Sequence, residues 1–318
     1  MDAACAHQDA GWQGRVSLKL MLKVFYCPKC KEALSARGMM YTCDTCACKY
    51  YTVDGFPSFI DRHVSGVSFD AAAFEFLYEM EQRHFWHIGR KEIILDVVKR
   101  NVPGLDEIRM LEIGCGNGSV LDYLKRDNIN VEGCDLFLEG LKFCRQRTGE
   151  VPLYQIDVLA MPFKEEYEVI GLFDVLEHIE DDGKALSEIN KALIPGGYLV
   201  LTVPAYQFLW SRHDEVSHHR RRYNKKDLVA KLERCGFSVN KVTYFMFFLY
   251  PVLAAMRLLG KVFRNEMQEK DEAMTSLEFK TVPVINDIFL ALLRLEKYLI
   301  RNINLPFGAS LIIMARKR

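Results

Sequence analysis

The residues best suited to chemistry lie in Met110–Gly118, where a short apolar run leads into a glycine-rich turn. An acid, Glu112, stands inside the run, and three glycines follow at alternate positions before a helix-like segment: Gly114, Gly116 and Gly118. A strand, a glycine turn and a helix let the backbone approach a nucleotide-like ligand closely. The spacing is GxGxG, not the GxGxxG of dinucleotide sites, and the charge of Glu112 would repel a pyrophosphate. It favours a ligand that carries an ammonium group, such as S-adenosylmethionine.

Three more acids stand where predicted strands end. Asp135 closes the second strand, about twenty residues past the glycines, where an acid can accept both ribose hydroxyl protons. Asp157 and Asp174 close the third and fourth strands. Because open parallel sheets bind ligands outside the carboxyl ends of their strands, these acids are predicted to face one crevice.

Two CxxC pairs near the start of the chain predict a metal site. Each pair directs two thiolates at one point, and together they complete a tetrahedral Zn²⁺ shell with no open position: Cys27, Cys30, Cys43 and Cys46. Cys48 is predicted to stay outside the shell. The zinc is therefore structural, and in so small a module it supplies most of the folding free energy.

Composition sets further bounds. The chain has 318 residues, with Lys+Arg and Asp+Glu both at 42, so no bulk field attracts nucleic acid. Clustered cysteines indicate a reducing compartment, and residues 1–20 are expected to be a disordered leader without a signal-peptide pattern. The uncharged run Val242–Met256 is shorter than the roughly 20 residues of a membrane span. The predicted location is cytoplasmic, with peripheral membrane contact left open.

Strand and helix patterns alternate from residue 109, which predicts an α/β fold with a doubly wound, seven-stranded, mostly parallel sheet. The predicted strands are 109–113, 131–134, 153–156, 169–173, 197–203, 237–245 and 310–315. The predicted organisation is a leader at 1–20, a zinc ribbon at 21–62, a helical lid or linker at 63–108 and a main domain at 109–318 with a helical insertion at 246–306.

Five motifs together resemble those of class I S-adenosylmethionine-dependent methyltransferases, in order and spacing: LEIGCGNG, GCD at 133–135, ID at 156–157, FDVLEHI at 173–179 and LIPGGYLVLTVP at 193–204. The resemblance implies that Glu112 and Gly114 line the site of the methionine part of S-adenosylmethionine. It also implies that Asp135 binds the ribose and Asp157 binds the adenine amino group. Phe173, Asp174 and Leu176 would flank the methyl-donor channel. The implied cofactor set is completed by Cys115, Gly116, Gly118, Leu136 and Val158. Residues 24–61 resemble zinc ribbons that accompany methyltransferases.

Segments 81–95, 213–223 and 304–317 resemble a group of bacterial methyltransferases of the ubiquinone and saccharide type. The resemblance makes two sets candidate acceptor-binding residues: His84, Trp86 and Arg90 in the first segment, and Asp214, Arg221, Arg222 and Tyr223 in the second. A packing helix over the sheet is the alternative for the first set, and a solvated basic loop is the alternative for the second.

Methyl transfer from a sulfonium requires alignment of the reactants and a base for the acceptor proton. Imidazoles suit that task near neutral pH, and the candidates are His178, His213 and His219. The apolar insertion favours a small, saccharide or lipid-linked, quinone-like acceptor, with the loop 213–223 and the segment Phe247–Leu253 walling its cavity. An RNA methyltransferase and a non-catalytic scaffold, whose ribbon would bind a protein partner, are the alternatives. Neutral charge and the lack of a base-flipping Pro-Pro-aromatic turn count against RNA.

Overall fold

The structure, a computed structural model, describes residues 23–60, 71–105, 107–262 and 283–318. The predicted leader lies outside these residues, as does 61–70 of the predicted ribbon end and linker. The N-terminal part holds four short antiparallel strands, each paired with the next: β1 (Ser35–Arg37), β2 (Met40–Thr42), β3 (Lys49–Val53) and β4 (Phe56–Ser58). Two helices follow them, α1 (Ala71–Arg83) and α2 (Phe85–Asn101).

Strands and helices then alternate, as the sequence predicts. The elements are β5 (Met110–Ile113), α3 (Ser119–Arg126), β6 (Val131–Asp135), α4 (Leu138–Thr148), β7 (Leu153–Gln155), β8 (Tyr167–Phe173), α5 (Asp182–Ala192), β9 (Leu193–Pro204), α6 (Arg212–Val216), α7 (Lys225–Arg234), β10 (Phe237–Phe245), α8 (Tyr250–Val262), α9 (Pro283–Asn302) and β11 (Ser310–Lys317). The main departure is β9, which begins four residues before the predicted start at 197. Gly196 accommodates this path with a φ of 77°.

The strands form one sheet of eleven, in the order β1-β2-β3-β4-β7-β6-β5-β8-β9-β11-β10. Seven of them, β5 to β11, come from the region predicted to hold a seven-stranded sheet. The N-terminal strands extend that sheet beyond β7, so the count of seven is too small. Neighbours from β4 to β9 in this order run parallel, whereas β11 lies antiparallel between β9 and β10.

The central strands are buried because helices cover them. Every residue of β5 is buried, and most of β8 is, which is the near-continuous apolar pattern of a parallel sheet covered on both faces. Helix α3 turns Val120, Leu121 and Leu124 into the core. This packing fixes the carboxyl ends of β5, β6 and β8, where Glu112, Asp135 and Asp174 stand.

The predicted insertion contains α8 and α9, while residues 263–282 between them lie outside the described part of the chain. Helix α9 packs on α2: Arg294 and Lys297 pair with Glu92 at 2.8 Å each. A Cβ on Gly89 of α2 would lie 2.5 Å from Leu293 Cδ1, so the two helices touch closely. No helix in the described ranges has both the length and the hydropathy needed to cross a membrane.

Candidate active site

The turn between β5 and α3 contains three glycines with a left-handed backbone conformation. Gly114, Gly116 and Gly118 have φ values of 68°, 48° and 73°, which favour glycine. A Cβ on Gly114 would lie 2.4 Å from Val175 Cγ2, and one on Gly118 would lie 2.6 Å from Cys144 Sγ. A Cβ on Gly116 would meet no described atom within 4 Å. Gly118, predicted to allow a ligand to approach, therefore allows α4 to pack closely instead. Gly116 is the glycine whose backbone leaves space for a ligand.

Glu112, on β5 two residues before the turn, carries a buried carboxyl group. It is 3% exposed, and its Oε2 has no hydrogen-bond partner among the described residues. Burial raises the pKa of Glu112 well above its usual range. A buried acceptor without a donor costs free energy that a cationic ligand group would recover. The ammonium of the methionine part of S-adenosylmethionine supplies such a donor, so these residues fit the cofactor.

Asp135 connects the turn to the next helix. Its Oδ2 accepts the Gly116 N–H at 2.8 Å, and its Oδ1 accepts the Phe137 N–H at 2.9 Å, just before α4. Burial raises its pKa, although these backbone donors oppose the rise. Each oxygen retains acceptor capacity for a ribose hydroxyl. The same carboxylate thus connects the glycine turn to the start of α4.

Asp157 lies beyond the end of β7. Its Oδ1 accepts the Leu159 N–H at 2.8 Å and begins a short 3₁₀ turn at Val158–Ala160. Leu136 is half-buried after Asp135, and Cys115 is buried within the glycine turn. Asp157 and Leu136 thus follow the carboxyl ends of β7 and β6, where the resemblance places the adenosine, whereas the Cys115 side chain packs inside the protein.

Helix α2 closes over the end of β8 through Arg90. This buried guanidinium pairs with Asp174, whose φ of 54° is unusual for a non-glycine residue. Thr202 Oγ1 also donates to Asp174 at 3.0 Å. The Trp86 ring lies 4.5 Å from Arg90 Cζ, and His84 Nδ1 accepts the Trp86 N–H at 3.3 Å at the start of α2. The three predicted acceptor-binding residues of this helix therefore pack and pair within the protein, which favours the packing alternative.

A cluster of titratable side chains follows β8. His219 Nδ1 lies 2.8 Å from Asp214 Oδ1, and its Nε2 lies 3.9 Å from Glu177 Oε1. The His178 ring stands at 79° to that of His219, with centroids 4.8 Å apart. Glu177 is fully buried, and neither of its oxygens has a hydrogen-bond partner in the described part of the chain. The loop 213–223 is therefore positioned beside the strand that carries Phe173 and Asp174.

Asp214 orients His219. Burial alone would raise the pKa of Asp214, but hydrogen bonds from His219 and Arg222 hold it well below its usual range. The carboxylate is thus ionised and accepts the Nδ1–H of His219. When Nδ1 carries the hydrogen, Nε2 is the ring nitrogen that can accept a proton, on the side of Glu177. An oriented imidazole of this kind is suited to general-base catalysis.

The same cluster could also hold a metal ion. Ligand atoms of Glu177, His178 and His219 lie within 4.8 Å of one another. Asp214 would then serve as the carboxylate partner that orients a histidine ligand. Glu177 lies within the FDVLEHI motif but is not among the predicted site residues. Its place after a buried strand-end motif was the available signal.

The basic end of the loop pairs with acidic side chains of the protein. Arg222 Nε donates to Asp214 Oδ1 at 2.8 Å, and Arg221 lies 3.4 Å from Asp182 Oδ2. The Tyr223 hydroxyl is buried and donates to Asp182 Oδ2 at 2.8 Å. Both guanidinium groups are thus paired with carboxylates of the protein, and their role in binding an acceptor anion stays a prediction.

Acidification is expected to destabilise the protein through His178 and His213. Burial lowers the pKa of each to about 4, whereas a histidine in an unfolded chain titrates near 6.5. The unfolded chain therefore binds more protons between these values. Stability is full above about pH 6.5 and falls as the pH drops towards 4. At about pH 5 each histidine should cost about 2 kcal/mol of unfolding free energy.

Denaturant titrations at about pH 7.5 and pH 5 measure this loss. The paired variant His178→Gln/His213→Gln should lose clearly less stability on acidification than the parent protein. An equal loss in both would assign the acid sensitivity to other groups.

The four predicted zinc ligands converge at the N-terminal strands. Sγ–Sγ distances are 3.5 Å for Cys27 and Cys46, 3.3 Å for Cys30 and Cys43, and 3.5 Å for Cys30 and Cys46. All four sulfurs lie within 4.8 Å of one another, and Cys48 is outside that set. Four converging thiols fit a tetrahedral metal shell.

Comparisons with known proteins agree with this geometry. Residues 85–242 match a protein family described as a methyltransferase domain. A probable S-adenosylmethionine-dependent methyltransferase of Mycolicibacterium smegmatis is 28% identical over 50% of this chain and 62% of its own length. The ubiquinone biosynthesis O-methyltransferase of Psychrobacter cryohalolentis is 29% identical over 36% of this chain and 48% of its own length. The chain thus spans about half to three fifths of the length of these relatives.

A solved structure shows the same fold. Phosphoethanolamine N-methyltransferase 2 of Haemonchus contortus, in complex with S-adenosyl-L-methionine, is 19% identical and superposes with a TM-score of 0.52. The match covers 80% of this chain and 60% of that one. By sequence, residues 85–242 are thus similar to S-adenosylmethionine-dependent methyltransferase domains, and the solved structure shows the shared fold.

Proposed function

We propose that this protein transfers a methyl group from S-adenosylmethionine to a hydroxyl oxygen of an amphiphilic, quinol-like acceptor. The observation that carries the proposal is the Asp214–His219 pair beside buried Glu177, at the end of the strand where the methyl donor would lie. A non-catalytic scaffold does not require an oriented imidazole at this place.

The donor side of the site is the crevice at β5, β6 and β7. Glu112 would accept a hydrogen bond from the ammonium group of the methionine part. Asp135 would accept hydrogen bonds from the ribose hydroxyls, and Asp157 would accept one from the adenine amino group. The cofactor supplies a methyl group already activated on a sulfonium. The protein therefore has to align the acceptor, exclude water and remove one proton.

His219 would remove that proton. As the acceptor oxygen forms its bond to the methyl carbon, its hydrogen passes to Nε2 and the carbon–sulfur bond breaks. Asp214 stabilises the resulting imidazolium, since its carboxylate stays 2.8 Å from Nδ1.

The apolar end of the acceptor would lie along the start of the insertion. Tyr206 contacts Tyr250 with ring centroids 5.6 Å apart, and Phe247 stacks on Phe307 at 4.5 Å. Helix α8 adds the apolar side chains of Val252 and Met256, one helical turn apart and 59% and 42% exposed. An apolar tail covering them would gain about 25 cal/mol per Å². The ubiquinone-related names of the relatives support a prenylated aromatic acceptor over a saccharide.

Tail recognition gives a direct test. Val252→Asp/Met256→Asp is expected to raise KM for a prenylated catechol at least tenfold, because a charged surface replaces apolar contact area. KM for a tail-less catechol should change less than twofold. Met39→Asp, at an exposed apolar residue of the N-terminal strands, serves as the matched control.

Other outcomes identify other functions. If the protein methylates a saccharide-linked lipid but neither catechol, the acceptor is a saccharide and not a quinol. Equal KM changes for both catechols would show that α8 does not bind the apolar tail of the acceptor. Failure of the parent protein to bind S-adenosylhomocysteine in calorimetry would reject the donor site.

The cysteine cluster is proposed to bind one structural Zn²⁺. Elemental analysis should give one zinc per chain, and Cys43→Ser should lose it because three thiolates hold the ion far more weakly. Cys48→Ser should retain it, since this thiol lies outside the converging set. Zinc loss in the Cys48 variant, or its retention in the Cys43 variant, would give a different ligand set.

A further inference from the structure

The N-terminal strands are joined to the edge of the methyltransferase sheet. Strand β4 runs parallel to β7, with Ser58 opposite Gln155. The Phe59 N–H donates to the Gln155 carbonyl at 2.9 Å, and the Tyr26 N–H donates to the Pro162 carbonyl at 2.9 Å. The module thus covers the edge that β7 would otherwise expose.

Buried contacts hold this junction together. Lys23, with a side chain only 5% exposed, pairs with Glu132 on β6 and donates to the Tyr167 hydroxyl at 2.6 Å. Phe25 contacts Tyr154 of β7 with ring centroids 5.7 Å apart. Separation would leave a buried carboxylate without its cation, which is strongly unfavourable. The module is therefore a docked part of the structure and not a loosely tethered one.

A chain of side-chain hydrogen bonds runs from the junction to the ribose site. Ser58 Oγ donates to Gln155 Oε1 at 2.7 Å, and Gln155 Nε2 donates to the Leu136 carbonyl at 3.0 Å. Leu136 directly follows Asp135, whose own carbonyl accepts the Ile156 N–H at 2.9 Å. Two side chains thus join β4 to the backbone that carries the ribose-binding acid.

We infer that the zinc-loaded N-terminal module maintains the cofactor site, with Ser58 and Gln155 as positioning residues that fix the Asp135–Phe137 backbone. The inference rests on the proposed donor site. Its physical basis is that a module with so small a core folds only with its metal. Loss of zinc would then remove β4 from β7, free the Gln155 side chain and loosen the backbone at Leu136.

Calorimetry on the full chain with S-adenosylhomocysteine tests this inference. Ser58→Ala and Gln155→Leu should raise Kd about five- to tenfold, and Ser58→Thr, which keeps the hydroxyl, should restore it. The matched control is Asp54→Asn, which removes the exposed 3.1 Å pair between the same module and Lys142 without touching the hydrogen-bond chain. Its Kd should stay within twofold of the parent value.

Zinc removal by Cys43→Ser should raise Kd at least as much as Gln155→Leu does. Amide hydrogen exchange at 134–137 should accelerate in both variants, which an effect on global stability alone would not confine to this segment. Saturating cofactor should restore kcat in Gln155→Leu. Unchanged Kd and exchange in Gln155→Leu and Cys43→Ser would overturn the inference. Absence of binding by the parent protein would instead overturn the proposed donor site.

Discussion

His219→Ala is expected to lower kcat by about 10²- to 10⁴-fold, the usual contribution of a positioned general base. The Kd for S-adenosylhomocysteine should stay within twofold, because the imidazole lies on the acceptor side of the site. Single-turnover assays with the prenylated catechol, combined with calorimetry, separate these two quantities. Asp214→Asn should also lower kcat, since an amide neither fixes the tautomer as firmly nor stabilises the imidazolium.

His213→Ala is the matched control for that prediction. Its ring centroid lies 6.2 Å from that of His219, in the same loop, and its removal should change kcat less than fivefold. A large loss in His178→Ala with near-normal His219→Ala would move the base to His178. Inactivation by a chelator with zinc still bound to the cysteines, reversed by a divalent cation, would assign Glu177, His178 and His219 to a metal ion in place of proton transfer.

The parts of the site that could be predicted from the sequence are those set by local pattern. Glu112, the glycines and Asp135 lie within short segments in which a strand ends and a turn begins, so their position at one sheet edge follows from parallel order alone. The α/β fold followed from the same alternation, and the comparisons confirm the methyltransferase fold. The roles of the individual residues remain predictions.

Features that depend on distant partners could not be predicted in this way. Ser58 and Gln155 are 97 residues apart and form the one registered pair of β4 with β7, so neither strand carries a signal for the other. The arginines of the loop 213–223 read as a basic surface, yet Arg222 turns inward because Asp214 is buried beside it. The charge pattern gives the number of cationic side chains in the loop. It does not give the path of the loop, which decides the carboxylates with which these side chains pair.

The glycine turn illustrates the same limit at close range. Its three glycines look equivalent in sequence, but the space around them differs: Gly114 faces Val175, Gly118 faces Cys144 and Gly116 faces open space. Those neighbours come from the turn after β8 and from α4, so the different surroundings of the glycines arise only once the sheet and its helices are assembled.

Asp135→Ala is expected to weaken S-adenosylmethionine binding at least tenfold. The substitution removes the proposed acceptors for two ribose hydroxyls, a loss of about 1.5–3 kcal/mol for charge-assisted hydrogen bonds. It also leaves the Gly116 and Phe137 N–H groups without their acceptor, so the glycine turn itself should loosen. Asp135→Asn should bind more weakly than the parent and more tightly than the alanine variant, because an amide oxygen replaces only part of the acceptor capacity.

Calorimetry with S-adenosylmethionine gives the affinity, and thermal unfolding with and without the cofactor shows whether the turn is disturbed before binding. Glu139→Ala is the matched control, since this carboxylate lies on the neighbouring helix and pairs with exposed Lys142 at 2.9 Å. It should leave Kd within twofold. Unchanged affinity in Asp135→Ala would show that Asp135, at the end of β6, does not bind the ribose. A lower melting temperature at unchanged affinity would limit Asp135 to holding the turn.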